Sequence, residues 1–190
     1  MGGMTNVESY TFDGREYSVN TGANLSPCMT PILDQIIGQL DAMLSYHSRV
    51  LVQRLDLHTD EYSAKSEKMT LIMKKIRKHL GRVYGMKRFG YVWVREMERS
   101  KKQHYHLVLF MDQHKISYPL KLVRWIEDRW AAQGQECVHR SKNMTLTRVS
   151  YLTSEMKDCV FWLSYMAKER GKNYKGDRAN NFGSSRLQKK

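Results

Sequence analysis

"FGYVWVREMERSKKQHYHLVLFM", residues 89–111, holds two apolar runs divided by a polar, charged middle. The first run, 89–99, reads as a strand; "SKKQ" reads as a turn; "HYHLVLFM" reads as a second strand, so the two form an antiparallel hairpin. Alternate residues of a strand face the same way, so His104 and His106 share one face while Tyr105 and Leu107 take the other. Glu96 and Glu98 also share a face. With Ser100 to Lys102 as the turn, Glu98 falls opposite His104 and Glu96 opposite His106. Any turn of odd length leaves a carboxylate beside the imidazoles.

That pairing suggests a metal site. Two imidazoles two residues apart can grip one ion, and a hard ion such as Mg²⁺ or Mn²⁺ also wants oxygen. The expected ligands are His104, His106 and Glu96, with Glu98 as the fallback. The competing reading is an ordinary strand whose histidines are satisfied by carbonyls. With seven histidines in the chain, His-x-His arises by coincidence often enough that the carboxylates are needed to raise it above chance.

Outward from the hairpin, the chain alternates helical and extended patterns. Thr30-Pro31 predicts a helix start with a hydroxyl cap, and Ile32, Ile36, Leu40 and Leu44 carry the helix to about Ser48. "RVLVQRLDL" (49–57) predicts a strand. Ser63 to Arg82 predicts a helix, closed by Gly81 and Gly85. After the hairpin, Tyr118-Pro119 opens a helix ending near Gly134, residues 136–149 hold one or two short strands, and Thr153 or Ser154 caps a last helix through about Glu169. The order predicts an α+β fold, a central antiparallel sheet flanked by helices. Residues 1–30 read as a polar arm or a small hairpin turning at Asp13-Gly14. Residues 31–187 read as one domain with a basic tail.

Composition narrows the function. The 190 residues carry a net charge of +13, which favours a polyanion partner, nucleic acid first, over a merely soluble basic protein. Cys28, Cys137 and Cys159 are sparse and odd in number, which argues for packing roles in a reducing compartment. No apolar run is long enough to span a membrane, and the opening residues lack a signal-peptide pattern, so an intracellular protein is expected. Lys74-Lys75, Arg77-Lys78, and the tail with Arg170, Lys172, Lys175 and Arg178 are expected phosphate contacts. Lys101 and Lys102, in the hairpin turn, are expected to hold a strand near the metal.

The last helix, "CVFWLSYMAKERGK", sets Tyr165 and Lys168 three apart, hence on one helical face. Singly these are a rim residue and a solvated cation. Together they suit nucleophilic catalysis: a neighbouring ammonium favours phenolate, and a divalent ion polarises a phosphate for in-line attack. The product would be a phosphotyrosine bond to DNA.

His104-Tyr105-His106 followed by Tyr165-Met166-Ala167-Lys168 resembles the HUH endonuclease superfamily, in the order found in rolling-circle replication initiators and small single-tyrosine transposases. More narrowly, "RVLVQRLDLH", "VWVREMERSKKQHYHLVLF", "FWLSYMAKERGK" and "NFGSSRL" resemble the inovirus Gp2 or YagK/YfjJ replication proteins over residues 48–187. The resemblance implies an RRM-like core and a site-specific single-strand DNA nickase and ligase. It implies His104 and His106 as metal ligands, Glu96 as their acidic partner, Tyr165 as nucleophile and Lys168 as its helper. Asp56 or His58, in the first motif, could approach the site. Phe161 stands where some initiators carry a second tyrosine, so a single-tyrosine mechanism is implied; a second nick would need Tyr174, a second molecule or water. The expected partner is single-stranded or hairpin DNA at an origin in the cytoplasm of a bacterial host. No P-loop is present, so a helicase would act in trans. Two other readings remain: a transposase or recombinase with the same chemistry, and a non-catalytic DNA-binding protein on the same fold.

Overall fold

The structure, a computed structural model, describes residues 3–5, 8–59, 63, 65–97, 103–134, 138–169 and 181–190, without the side chains of 138–141. In chain order the elements are β1 (Met4–Thr5), β2 (Ser9–Phe12), β3 (Arg15–Ser18), β4 (Cys28–Met29), α1 (Thr30–Tyr46), β5 (Arg49–His58), α2 (Glu67–Tyr84), β6 (Gly90–Met97), β7 (Gln103–Asp112), α3 (Leu120–Ala131), β8 (Val138–Thr147), α4 (Glu155–Ser164) and β9 (Phe182–Ser184). From α1 to α4 this is the order expected from the sequence.

Five strands form one sheet in the order β8-β5-β7-β6-β9, with every neighbouring pair antiparallel. Strand alternation divides the core in two. Val50, Val52, Val92, Val94, Val108 and Phe110 pack against α1 and α4 through Ile32, Ile36, Leu40, Val160 and Leu163. Leu51, Leu55, Leu57, Tyr105, Leu107 and Leu109 pack against α2 and α3 through Ile72, Ile76 and Trp130. The fold is thus α+β, an antiparallel sheet flanked by helices. All ten residues of β7 are buried, because it is the middle strand and is covered on both faces. Its unbroken apolar run has that cause.

Several local details differ from expectation. Thr30 does not cap α1: it is already helical, and its hydroxyl donates to the Gly3 carbonyl at 3.0 Å. Gly85 ends α2 in the left-handed conformation (φ 58°), whereas Gly81 lies inside the helix. Residues 138–147 form one long strand, its register with β5 shifting between Gln53 and Leu55; an edge strand needs no continuous apolar pattern. The last helix stops at Ser164, and Tyr165–Ala167 tighten into a 3₁₀ turn. There the chain is drawn toward β4: Cys28 bridges Lys168, and the Glu169 amide donates to the Pro27 carbonyl at 2.9 Å.

The two ends of the chain also pack onto the domain. β2 and β3 form the hairpin read at Asp13-Gly14, both with positive φ as a two-residue turn requires. Tyr17, Val19 and Cys28 belong to the core against α1 and α4. At the other end β9 pairs with β6, and the Gln39 amide donates to the Leu187 carbonyl at 3.3 Å. Cys28 and Cys159 are buried free thiols, in keeping with packing roles, and burial pushes Cys159 up to about 12. Among the described residues no helix is long and apolar enough to cross a membrane.

Candidate metal centre and tyrosine cleft

Strand parity that sends Val108 and Phe110 toward α1 and α4 sends His104 and His106 to the same face. Tyr105 points the other way into the α2/α3 core, as expected, and burial raises its phenol pKa. The hairpin register is two residues from the expected one. Glu96, not Glu98, lies opposite His104, and Val94 lies opposite His106. The connection therefore runs from 98 to 102, a longer odd turn, so the carboxylate stays on the imidazole face. Glu98 lies outside the described residues, as do Lys101, Lys102, Tyr174, Arg170, Lys172, Lys175, Arg178 and Cys137.

Three side chains converge on one point. Glu96 Oε2 is 3.1 Å from His104 Nε2 and 2.9 Å from His106 Nε2. The two imidazoles meet edge to face, with centroids 4.8 Å apart. Donor atoms of all three lie within 4.8 Å of one another, a set that could hold a metal ion. His104 and His106 are only 7% and 4% exposed, so desolvation has already been met by the fold.

The neighbouring strand completes the surroundings. β5 pairs with β7 so that Asp56 faces His106 and His58 faces His104. His106 Nδ1 donates to Asp56 Oδ1 at 2.6 Å, and His58 stacks on His104 with centroids 5.3 Å apart. A donating Nδ1 leaves Nε2 as the nitrogen that could coordinate an ion. Arg54 grips Asp56 with Nε at 3.1 Å and Nη2 at 3.2 Å. Burial pushes the Asp56 carboxyl up, but His106 and Arg54 outweigh it and bring the pKa to about 2. Burial lowers His106, and its bonds to Asp56 and Glu96 outweigh that and raise it.

Tyr165 stands on the same face. Its ring is edge-on to His106, with centroids 5.9 Å apart and planes at 80°. Lys168 Nζ lies 4.4 Å from the tyrosine ring centre and Arg54 Cζ 5.1 Å from it. The 3₁₀ turn explains the lysine contact, since side chains three apart eclipse one another in that geometry. Tyr165 and Lys168 thus sit on a turn after the helix rather than on the helix expected. Together with Asn20, Arg54, Asp56, His58, His104, His106 and Trp162, Tyr165 lines a cleft of about 380 Å³. Tyr165 is 42% exposed.

Sequence reasoning brought His104, His106, Glu96, Tyr165 and Lys168 to one place. It left Asp56 and His58 undecided and did not find Arg54, Asn20 or Trp162. The signal for Arg54, Asp56 and His58 was present: "RLDLH" puts them at alternate positions of a strand, hence on one face. Which strand lies beside them required the sheet order.

The fold and site define an α+β domain whose sheet presents a His-His-Glu group beside a tyrosine. The family model of the YagK/YfjJ C-terminal domain matches residues 23–185, and the chain belongs to that family. No curated protein and no solved structure matches the chain.

Proposed function

We propose that the protein is a metal-dependent DNA nickase and strand-joining enzyme, of the kind its likeness to the HUH endonucleases and inovirus Gp2 proteins implies. The observation that carries this reading is the shared cleft: Tyr165 stands beside His106 on the sheet face that gathers Glu96, His104 and His106. A divalent ion held by those three residues would polarise the scissile phosphate of a single strand. The Tyr165 hydroxyl attacks phosphorus and forms the phosphotyrosine bond as the bond to the 3′ oxygen breaks. The phenolic proton ends on the departing 3′ hydroxyl. Reversal by a 3′ hydroxyl joins strands without input of energy, because one phosphate ester replaces another. Lys168 and Arg54 flank the tyrosine ring, where their positive charge would offset negative charge that develops at the phosphate in the transition state. Asp56 positions His106.

Phe161, on the turn before Tyr165, offers no hydroxyl, which supports a single nucleophile. An origin of replication as target, a helicase in trans and a bacterial cytoplasmic setting belong to the same proposal. So do the phosphate contacts of Lys101, Lys102, Arg170, Lys172, Lys175 and Arg178.

The test is a covalent adduct. Single-stranded oligonucleotides of varied sequence are incubated with the protein and Mn²⁺ or Mg²⁺ and resolved on a denaturing gel. An adduct that disappears on chelation and in Tyr165→Phe is expected. An adduct that persists in Tyr165→Phe overturns the tyrosine assignment. No adduct across many sequences favours a non-catalytic DNA-binding protein.

A further inference from the structure

On the face of the sheet opposite the metal ligands, α2 and β6 enclose a second groove of about 200 Å³, lined by Thr70, Met73, Lys74, Arg77, Tyr91 and Trp93. We propose that this groove binds a segment of single-stranded nucleic acid, with a base stacked on Trp93 and its phosphates held by Lys74 and Arg77.

The groove has a built floor. Tyr91 and Trp93 are alternate residues of β6 and so lie on one face, where both are half-buried against the α2/α3 core. The Trp93 indole reaches sideways over β9. A Cβ at Gly183 would come within 2.8 Å of three indole atoms, so only glycine lets the indole lie this close to the strand. On its inner side Trp93 meets Tyr105 edge to face, with centroids 5.9 Å apart. These contacts fix the ring before any ligand arrives, which lowers the entropic cost of stacking a base on it.

The wall is cationic. Helix α2 carries Lys68, Lys74, Lys75, Arg77, Lys78 and Arg82 against one acid, Glu67, at its start. Lys74 and Arg77 are exposed, three apart on one side of the helix, directly above the aromatic floor. Among the described residues neither is held in an ion pair, and Arg77 lies over the Phe89 ring at 5.2 Å. An aromatic floor beside unpaired cations fits alternating bases and phosphates better than an acidic polypeptide, which would leave the floor without a stacking partner. Trp93 and Glu96 are three positions apart on β6, about 10 Å, and face opposite ways. The groove is therefore a separate contact, and it stands whether or not Tyr165 forms a phosphodiester.

The experiment uses the full chain in excess chelator, which silences the metal cleft, with fluorescein-labelled dT12 followed by anisotropy. Binding is expected to weaken about tenfold in Lys74→Ala/Arg77→Ala, and the slope of log affinity against log salt to fall by about 1.4, from two lost phosphate contacts at roughly 0.7 each. Unlabelled rU12 competing equally identifies any single strand as the occupant, and rU12 failing to compete identifies DNA; both support the proposal. A 5-iodouracil oligonucleotide is expected to photocrosslink to Trp93 or Tyr91. Unchanged affinity and slope in the double variant, crosslinks confined to Trp162 or Tyr165, or displacement by polyglutamate as efficient as by dT12 would each overturn it. Adduct formation at saturating oligonucleotide is measured alongside, so a failure of the nickase reading is seen separately.

Discussion

The Tyr165 ring and the His106 imidazole meet in a T-shape, centroids 5.9 Å apart, while Lys168 Nζ lies 4.4 Å from the centre of the tyrosine ring. A phenol so placed has a cation over its ring and the Glu96-His104-His106 group beside it. Tyr165→Phe is therefore expected to abolish adduct formation and leave oligonucleotide affinity within about twofold, because only a hydroxyl is lost. Lys168→Met should slow adduct formation on the order of 10²-fold, the loss typical of one transition-state electrostatic contact. Anisotropy and timed denaturing gels on the same preparations separate the two effects.

The donor set predicts the order of metal affinity. Two imidazoles and one carboxylate suit Mn²⁺ better than Mg²⁺, which prefers oxygen and keeps its waters. Calorimetry on the wild type should give Mn²⁺ binding at least on the order of tenfold tighter. His104→Ala, His106→Ala and Glu96→Ala should each remove measurable binding. Equal affinities for the two ions, or retention of Mn²⁺ by His104→Ala, would place the ion elsewhere.

Asp56 is expected to act on the metal through His106. Its carboxylate accepts the Nδ1 proton at 2.6 Å and fixes the ring. Asp56→Asn keeps the shape but loses the charge that strengthens the imidazole as a ligand. Metal affinity should fall about 10- to 100-fold while the ligands remain. Isothermal titration checks this, and raised Mn²⁺ should restore adduct formation in Asp56→Asn but not in Glu96→Ala.

Much of this site was legible because strand parity is a local property. His104 and His106 share a face whatever else the chain does, and any odd turn brings a carboxylate beside them. The register itself was not legible: whether Glu96 or Glu98 faces His104 depends on how long a polar turn grows, and polar residues tolerate several lengths. Arg54 and Asp56 were hidden for a different reason. β5 reaches the middle strand only across α2 and β6, and that adjacency is set by the whole sheet, not by the residues around Asp56. The end of α4 was missed because Tyr165–Ala167 keep helical spacing; what tightens them is the contact of Lys168 and Glu169 with the β4 segment, more than a hundred residues earlier. The fold class survived these errors, since alternation of helical and extended patterns alone decides it.

Two histidines outside the cleft predict a pH dependence of stability. His47 lies 3.3 Å from Asp112, and His79 stacks on Trp125 with centroids 3.9 Å apart. Burial lowers both pKa values; Asp112 opposes this at His47, and Arg129 adds to it at His79. A histidine with a lowered folded pKa binds fewer protons folded than unfolded just below the ordinary value near ~6.5. Their stabilisation is therefore complete above that value and is lost as pH falls through it. His106, raised, has the opposite sign, so the informative comparison is between the wild type and His47→Gln/His79→Gln, where its part cancels. Urea midpoints should fall less steeply from pH 7 to 5.5 in the double variant. Parallel slopes would show that neither histidine is linked to folding.

Gly22 offers a way to displace Lys168 without altering it. Its φ of +69° is left-handed, and a Cβ there would stand 2.7 Å from Lys168 Nζ. Gly22→Ala thus has two consequences. The left-handed backbone costs about 1–2 kcal/mol for a residue with a side chain. The lysine end, being flexible, moves away from the methyl and so shifts from its place over the Tyr165 ring. The first effect is a fall in melting temperature; the second is slower adduct formation at temperatures where the variant is fully folded. Lys168→Met/Gly22→Ala separates them. If Gly22 acts through the ammonium, the double variant melts lower than Lys168→Met but forms adduct at the same rate. If the double variant is slower still, Gly22 shapes the cleft in some other way, and the lysine is not the route.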